Sequence, residues 1–274
     1  VYNLAKLAKS QVKVLLTGEG ADETHGGYPR FTRFNFFNLI NKMIKKKLIP
    51  SVFINKIFKL FEFNKIFNLD LNDIMILSSS VHYHKDISNL IPKINLSKGL
   101  DVRRKTIKSI NLPNKYKSLV YEMKTYMHDL LIRADKMAMA HSIENRVPFL
   151  DNDLVEYSLS NLANSNFDYS FFPNINKNTK KYLKKISTKY FGKSFSYRYK
   201  SGFSFPLKKI FKSTYFRDPI EDEIIPSIKS NNLYNFKNIK IIWENIDNSS
   251  NSELELLFSI IAFEIWLKKF KVIL

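Results

Sequence analysis

Hydrophobic and polar residues near the start of the chain follow two different periods. Residues 3–11 have apolar positions at helical spacing, which predicts the end of an amphipathic helix. Residues 12–17, VKVLLT, are mostly apolar and β-branched and precede a glycine, which is typical of a buried strand in a parallel sheet. The order of helix, strand, glycine-rich loop and helix predicts an α/β crossover.

The rest of the chain has mainly helical periodicity. Residues 34–68 carry Phe, Ile and Lys at roughly helical spacing, which predicts two or three helices broken at Pro50 and near Asn64. The segments predicted elsewhere are a helix over 69–89, a loop over 90–99, a helix over 151–160, an Asn-rich loop over 161–178, a basic helix over 179–190, a loop over 191–206 and a last helix over 252–269.

The clearest helical pattern lies between residues 116 and 142. Its apolar residues recur every three or four positions and predict one buried face, made of Met127, Leu130, Leu131, Ala134 and Ala138. Met137 and Met139 are also expected in the core. Three charged residues of this segment, Arg133, Asp135 and Lys136, favour an ion-pair face over a catalytic role.

Composition excludes several classes of protein. The chain is 45% hydrophobic and 14% aromatic, which is enough for a core and argues against a wholly disordered protein. It has no cysteine, which excludes disulfides and cysteine-ligated zinc or iron–sulfur sites and fits a cytoplasmic location. The sequence shows no basic-then-apolar leader and no run of about 18 uncharged apolar residues, so neither a signal peptide nor a membrane span is predicted.

The net charge of +19 has two interpretations. Nucleic-acid and membrane-surface binders are strongly basic, but they cluster their charge. Here lysine is spread along the chain together with abundant Asn, Ile and Phe, as expected from an AT-rich coding sequence. We therefore favour drift in composition over nucleic-acid binding.

Glycine is concentrated in one loop. The chain has seven glycines, and four of them, Gly18, Gly20, Gly26 and Gly27, lie within TGEGADETHGGY after the predicted strand. Ligands of open α/β sheets bind at the carboxyl ends of the strands, and glycine lets the backbone approach them closely. A helix that starts near Ala21 would also favour an anion such as phosphate.

Acidic residues in this loop indicate a divalent cation. Carboxylates beside a phosphate repel it unless a cation lies between them. Mg²⁺ often takes one or two carboxylates and completes its shell with water and phosphate oxygens, so Asp22 fits a Mg²⁺ ligand and Glu19 fits a base or an orienting group. The alternative is a helix cap, in which Asp22 and Glu23 favour the positive helix end. His25 is expected to be structural rather than a metal ligand, because no second ligand has a suitable spacing.

At four places the sequence resembles the glutamine-hydrolysing asparagine synthetases. TGEGADETHGGYPRF, residues 17–31, is similar to the family's S-G-E-G-A-D-E-x-x-G-G-Y segment. The other three segments follow in the family's order: LIRADKMAMAHSIENRVPFLD at 131–151, RYKSGFSFPL at 198–207 and SIIAFEIWLKKF at 259–270. Four ordered segments are far more specific than one motif, although residues 32–115 and 208–250 show no resemblance.

The resemblance implies a fold and a reaction. The fold is α/β, a partial ATP-pyrophosphatase domain of the adenine nucleotide alpha hydrolase-like type, mostly helical with a remnant of a parallel sheet. ATP, Mg²⁺ and aspartate would give β-aspartyl-AMP and pyrophosphate. Ammonia, released from glutamine in a separate glutaminase domain, would then displace AMP to give asparagine. No membrane partner is implied, and a homodimer is left open.

It also implies roles for individual residues. Thr17 and Gly18 match a Ser-Gly pair that touches the nucleotide. Glu19 and Lys200 match catalytic residues, with Glu19 serving the acyl-adenylate and ammonia steps and Lys200 contacting the α-phosphate. Asp22 matches an aspartate beside Mg²⁺-pyrophosphate. Three further residues are assigned to substrate binding: Asp129, Glu144 and Arg146.

The chain departs from the family in two respects. The pyrophosphate loop, S-G-G-x-D-S, and the N-terminal glutaminase domain with its cysteine nucleophile do not occur in the 274 residues. We therefore expect residues 1–274 to be the C-terminal portion of a synthetase domain that does not make asparagine alone. Thr24 and His25 occupy a place where the family often has two apolar residues, which we expect to affect packing and not chemistry.

Two alternatives remain open from the sequence. Related amidotransferases activate carboxylates of sugars, peptides or β-lactam precursors, although the β-lactam branch usually carries Tyr at the position of Glu19. The other alternative is a non-catalytic, basic nucleic-acid-binding protein that has kept the fold. The joint retention of Glu19, Asp22 and Lys200 argues against it.

Overall fold

Two short strands, β1 at Val14–Leu16 and β2 at Glu144–Arg146, pair in parallel. Val14 lies opposite Glu144 and Leu16 lies opposite Arg146. The pairing joins segments that are far apart in sequence. It confirms a small parallel sheet within a chain that is otherwise mostly helical.

The computed structural model describes residues 1–32, 34, 39, 42–43, 46–48, 50, 71–80, 82, 84–162, 179–199 and 205–272. Three predictions lie outside these residues: most of the helices of 34–68, the Asn-rich loop beyond residue 162, and Lys200. The chain divides into two compact units, Val1–Ser79 with Asp101–Lys200, and Ser80–Leu100 with Ser201–Leu274.

The helices are numbered in chain order over the described residues. They are α1 Tyr2–Ala8, α2 Ala21–Thr24, α3 Leu71–Ser79, α4 His84–Leu90, α5 Leu96–Lys108, α6 Asn114–Lys124, α7 Tyr126–Met139, α8 Asn152–Tyr157, α9 Lys181–Ser196, α10 Leu207–Lys212, α11 Thr214–Pro219, α12 Ile225–Ser230, α13 Phe236–Glu244 and α14 Asn251–Phe270. A 3₁₀ turn at Pro148–Leu150 and π-helical turns at Ser158–Leu162 and Ile220–Ile224 lie between them. None of the helices in these segments combines the length and the hydropathy needed to cross a membrane.

The two-stranded sheet of the first unit is covered on one face. Leu15 packs against a small cluster formed by Ala5, Ala138 and Ile143. On the outer face Val14 is 36% exposed and Leu16 is 71% exposed. Successive side chains of a strand point to opposite faces of the sheet. Because other residues pack against only one face, the apolar side chains on the other face stay in contact with water. The prediction of a buried strand is therefore wrong for the outer face.

The predicted helix over 116–142 is two helices. α6 and α7 are separated at Thr125, whose φ of −119° and ψ of −82° are not helical. Met137 and Met139 are not in the core, since they are 40% and 54% exposed. They flank Ala138, and each step along a helix turns the side chain by about 100° away from the buried face. That face is confirmed at three predicted positions, Leu130, Ala134 and Ala138.

Other predicted segments agree with the structure in part. α14 confirms the last helix, and α8 with the following π-helical turn confirms a helix over 151–160. Two predicted loops are partly wrong because α5 begins at Leu96 and α9 continues to Ser196. Gly192, with φ of 77° and ψ of 167°, kinks α9 instead of ending it.

The core of the second unit forms around α13 and α14. Ile239, Leu254 and Leu257 have no exposed surface there. α14 begins with a capping box, in which Ser250 Oγ accepts from the Glu253 N–H and the Glu253 carboxylate accepts from the Ser250 N–H. The cap satisfies backbone donors that the first turn of the helix would leave free.

Glu264 is a carboxylate inside this core. It is 3% exposed and accepts hydrogen bonds from Ser227 Oγ at 2.6 Å and from the Tyr234 hydroxyl at 2.8 Å, one at each carboxylate oxygen. A buried carboxylate without such donors would destabilise the unit by its desolvation. The pair of hydrogen bonds therefore explains how α14 tolerates an acidic residue on its buried face.

Replacing Ile239 by Ala should lower the free energy of unfolding of the second unit by about 2–5 kcal/mol, because it leaves a cavity in a packed core. Ile241→Ala is the matched control on the same helix, because Ile241 is 52% exposed. We expect it to change stability by no more than about 0.5 kcal/mol. Urea unfolding followed by circular dichroism measures both, and equal losses for the two variants would contradict this packing.

Candidate functional site

The glycine-rich loop begins where β1 ends. The Thr17 N–H donates to the Arg146 carbonyl at 2.9 Å and extends the sheet by one residue. Gly20 then turns the chain into α2 with φ of +85°, which side chains rarely adopt. A Cβ at Gly20 would lie 2.2 Å from Leu150, so glycine lets the loop pack against the 3₁₀ turn Pro148–Leu150. Two of the sequence segments that carry the resemblance thus meet in space.

Thr17 and Gly18 present an open surface at the end of the strand. Thr17 Oγ1 is buried and has no hydrogen-bond partner within the described part of the chain. A Cβ added to Gly18 would meet no atom within 4 Å, so packing does not explain the glycine. A buried hydroxyl without a partner is rare in folded proteins, and a bound ligand is one way to satisfy it. The two residues fit the predicted nucleotide contact.

α2 contributes less to anion binding than the sequence predicts. It has four residues, Ala21–Thr24, which is about one turn. The dipole of a helix sums over its aligned peptide units, so one turn supplies little positive potential. Positive charge for a phosphate must therefore come from side chains near the loop.

Glu19 and Asp22 lie on the loop and on α2, and their surroundings differ. Glu19 is partly exposed and makes no hydrogen bond or ion pair with any described residue. Asp22 Oδ1 lies 3.0 Å from Lys180 Nζ. Sequence reasoning missed Lys180, because it is separated from Asp22 by most of the unit and belongs to no motif. The only sequence signal for it is its place in a basic segment.

A buried polar layer lies behind the loop. Glu23, 1% exposed, accepts a hydrogen bond from the Tyr28 hydroxyl at 2.7 Å. Arg30 Nη2 donates to Glu122 Oε2 at 2.9 Å, and its guanidinium carbon lies 3.9 Å from the centre of the Tyr28 ring. Burial raises the pKa of Glu23, opposed by the Tyr28 hydrogen bond, and burial raises the pKa of Glu122, opposed by Arg30. These contacts join α2 to α6.

Thr24 and His25 are part of the same packing. Both are buried, and Thr24 Oγ1 donates to the Gly20 carbonyl at 2.7 Å. A hydroxyl has one proton, so His25 Nδ1 is the donor in its 2.7 Å contact with Thr24 Oγ1. Ser158 Oγ donates to the Thr24 carbonyl. Burial, with a smaller effect of Lys180, lowers the pKa of His25 to about 4. His25 is a neutral structural residue, as the sequence predicts.

Two of the three predicted substrate residues lie on β2, and the third lies on α7. Glu144 and Arg146 pair with each other at 2.8 Å on the exposed face of β2. Asp129 lies on the exposed face of α7. None of these three side chains hydrogen bonds or ion pairs with residues 17–22 in the described part. Their assignment to substrate stays a prediction, as does that of Lys200, which lies outside the described residues.

Metal binding at the loop depends on few protein ligands. Among the residues that the structure describes, no three His, Asp or Glu side chains are grouped as a complete metal site. Mg²⁺ commonly takes only one or two carboxylates, with water and phosphate oxygens as the other ligands. Asp22 and Glu19 fit that pattern, whereas they do not fit a structural zinc or calcium site.

A comparison with protein-family models identifies the family of the chain. The model of the asparagine synthase family matches residues 1–268. The chain belongs to the asparagine synthase family. One curated member, asparagine synthetase (glutamine-hydrolyzing) 1 of Bacillus subtilis (strain 168), is 31% identical over 167 residues. That match covers 55% of this chain and 25% of the relative, so the matched region spans a quarter of the relative's length. No solved structure matches this chain.

Two glycines of the loop should respond differently to substitution. Gly20→Ala should lower the free energy of unfolding by about 2–4 kcal/mol, because alanine is strained at φ of +85° and its Cβ collides with Leu150. Gly18→Ala, the control, meets open space and should change stability by no more than about 0.5 kcal/mol. Urea unfolding measures both variants. A destabilisation by Gly18→Ala as large as that by Gly20→Ala would contradict the loop geometry.

His25 should make the chain lose stability in acid. Its pKa is lowered from 6.5 to about 4 in the folded state, so only the unfolded state takes up the proton between these values. The stability that neutral His25 contributes is therefore present above pH 6.5 and lost as pH falls towards 4. Relative to His25→Gln, the wild-type chain should lose up to about 1.4 kcal/mol per pH unit in this window.

The comparison between variants is needed because Glu23 and Glu122 have raised pKa values, which give the opposite pH dependence. Urea unfolding at pH 7 and pH 4.5 measures the difference. His128→Gln is the control, because His128 is exposed. Parallel pH profiles for wild type and His25→Gln would show that His25 is not held neutral.

Proposed function

We propose that this chain carries the part of an asparagine synthetase that activates aspartate. In the proposed reaction the side-chain carboxylate of aspartate attacks the α-phosphate of ATP and forms β-aspartyl-AMP and pyrophosphate. Ammonia derived from glutamine then gives asparagine. The observation that carries the proposal is the loop after β1, where a buried Thr17 hydroxyl without a partner and an open Gly18 lie beside two acidic side chains. Family membership supports it.

ATP and Mg²⁺ fit the residues of this loop. The Thr17 hydroxyl and the backbone at Gly18 would bind the nucleotide, and Asp22 would hold Mg²⁺. The chemistry that ATP and Mg²⁺ supply is an adenylate leaving group and neutralisation of phosphate charge. We assign Lys200 to the α-phosphate, because a lysine can follow charge that develops there.

Glu19 is the proposed base for the ammonia step. The nitrogen lone pair forms a bond to the β-carbonyl carbon, and the C–O bond to AMP breaks with its electron pair on the phosphate oxygen. One proton must leave the nitrogen, and the Glu19 carboxylate takes it. The freedom of Glu19 from hydrogen bonds and ion pairs with the described residues supports this role, because a paired carboxylate is a weaker base.

We further propose that the fold is the ATP-pyrophosphatase domain and that the remaining parts of the enzyme lie in the rest of a longer protein. These parts are the pyrophosphate loop and a glutaminase domain that releases ammonia. The proposal is supported by the name of the Bacillus subtilis relative, which is described as glutamine-hydrolyzing, and by the quarter of its length that the match spans.

Two substitutions in the full-length protein test the proposal. Lys200→Ala should slow the aspartate-dependent release of pyrophosphate by about 10²–10³-fold, because a lost transition-state contact is worth about 3–4 kcal/mol. Glu19→Gln should slow asparagine formation by a similar factor without unfolding the chain. Glu156→Gln on the exposed surface of α8 is the control and should have no effect.

Pyrophosphate release and asparagine are measured separately, with aspartate and with other carboxylates. Normal pyrophosphate release by Lys200→Ala would remove that residue from the mechanism. Release that depends on another carboxylate and not on aspartate would contradict the proposed substrate and favour a related amidotransferase.

A further inference from the structure

Lys180 is a cation of the loop site that none of the motifs contains. Its ion pair with Asp22 is only partly exposed, since each side chain has 23% of its surface in contact with solvent. Gly27 makes the approach possible. A Cβ at that position would lie 1.8 Å from Asp22 Oδ1 and 2.3 Å from Lys180 Cε. One of the four clustered glycines therefore makes room for this pair.

The backbone at Lys180 is held in an unfavourable conformation. Its φ of 49° and ψ of 37° lie in the left-handed region, which is unfavourable for a residue other than glycine. The preceding residue, Thr179, is 2% exposed, and its carbonyl accepts from Lys184 Nζ at 2.6 Å. A partly exposed ion pair contributes little stability. The contribution of the ion pair to the stability of the fold therefore does not explain why Lys180 contacts Asp22.

Lys200 is assigned to the α-phosphate, and the other phosphates of a bound polyphosphate need a further cation at this loop. α2 is one turn long, and the Arg30 guanidinium is bound to Glu122. Lys180 brings an ammonium group within 3.0 Å of the carboxylate that is assigned to Mg²⁺. Mg²⁺ on Asp22 would share this carboxylate with the Lys180 ammonium group, and because like charges repel, the two cations would compete for it.

We propose that Lys180 is the counter-ion of Asp22 in the ligand-free chain and moves to phosphate oxygens when Mg²⁺ takes over Asp22, an exchange that rests on the proposed function. The ligand is a magnesium-bound polyphosphate, either the triphosphate of ATP or pyrophosphate. Lysine suits the exchange because its charge is compact and its four-carbon stem is flexible. Lys180 is thus a positioning residue for Asp22 before binding and a phosphate contact after it.

The exchange predicts two opposite effects of Lys180→Met, which keeps the length of the stem. Binding of Mn²⁺ alone, measured by the loss of its free electron paramagnetic resonance signal, should become about threefold tighter, because a competing ion pair is removed. Binding of pyrophosphate with saturating Mg²⁺, measured by titration calorimetry, should become about tenfold weaker, because a charged contact is lost. A residue that only stabilises the fold would not change the two affinities in opposite directions.

The titrations use the full-length protein, and two further variants serve as controls. Lys180→Arg keeps the charge and should restore pyrophosphate affinity to within about threefold of wild type. Lys185→Met removes an exposed lysine from α9, the helix that follows Lys180, and should change neither affinity. Thermal unfolding followed by circular dichroism confirms that each variant is folded under the conditions of the titrations.

Each outcome decides between the exchange and its alternatives. If the wild-type chain binds both probes and Lys180→Met binds both as tightly as wild type, or both more weakly, the exchange is wrong and the proposed function stands. If Lys185→Met weakens pyrophosphate binding as much as Lys180→Met does, the loss of affinity reflects the overall positive charge of the protein, and the exchange is also wrong. If the full-length wild-type protein binds neither probe, the proposed function fails, and the exchange fails with it.

Discussion

The parallel pairing of β1 with β2 is the contact on which the first unit depends. Three residues of each strand pair, and the Thr17 N–H extends the ladder by one hydrogen bond. Because both strands run in the same direction, their carboxyl ends meet at one edge. The glycine-rich loop leaves one strand there and the Pro148–Leu150 turn leaves the other, and Gly20 packs against Leu150. A shift of this register by one residue would separate the two segments and expose Leu15.

The loop on this edge is packed against buried residues on one side and open on the other. Behind the loop, Glu23, Thr24 and His25 are fully buried and hydrogen bonded, and their contacts reach α6 and the turn that follows α8. In front, Gly18 faces open space and Glu19 is free of ion pairs with described residues. A preorganised loop of this kind loses little entropy when a ligand binds. Thr24 and His25, which stand where the family often has two apolar residues, are accommodated in this packing by their hydrogen bonds.

Local patterns in the sequence predict local structure well and tertiary contacts poorly. The β1 strand, the loop after it, the buried face of α7 and the whole of α14 follow from periodicity and glycine placement. The exposure of Leu16 does not, because it depends on which faces of the sheet other elements cover. β2 was not predicted as a strand, because ENR carries no strand pattern of its own. The sequence does not indicate Lys180 either, because its ion pair with Asp22 joins residues that are far apart in the chain.

The central claim is that the loop of residues 17–22 holds metal-bound ATP, and paramagnetic broadening tests it most directly. The amide signals of the isotope-labelled chain are recorded with ATP and increasing Mn²⁺, whose unpaired electrons broaden the signals of nearby nuclei. We predict that the amides of residues 17–22 and of Lys180 broaden at lower Mn²⁺ concentrations than the other described amides of the first unit. Broadening that is confined to other lysine-rich surfaces, such as α5, with the loop signals unchanged, would contradict it.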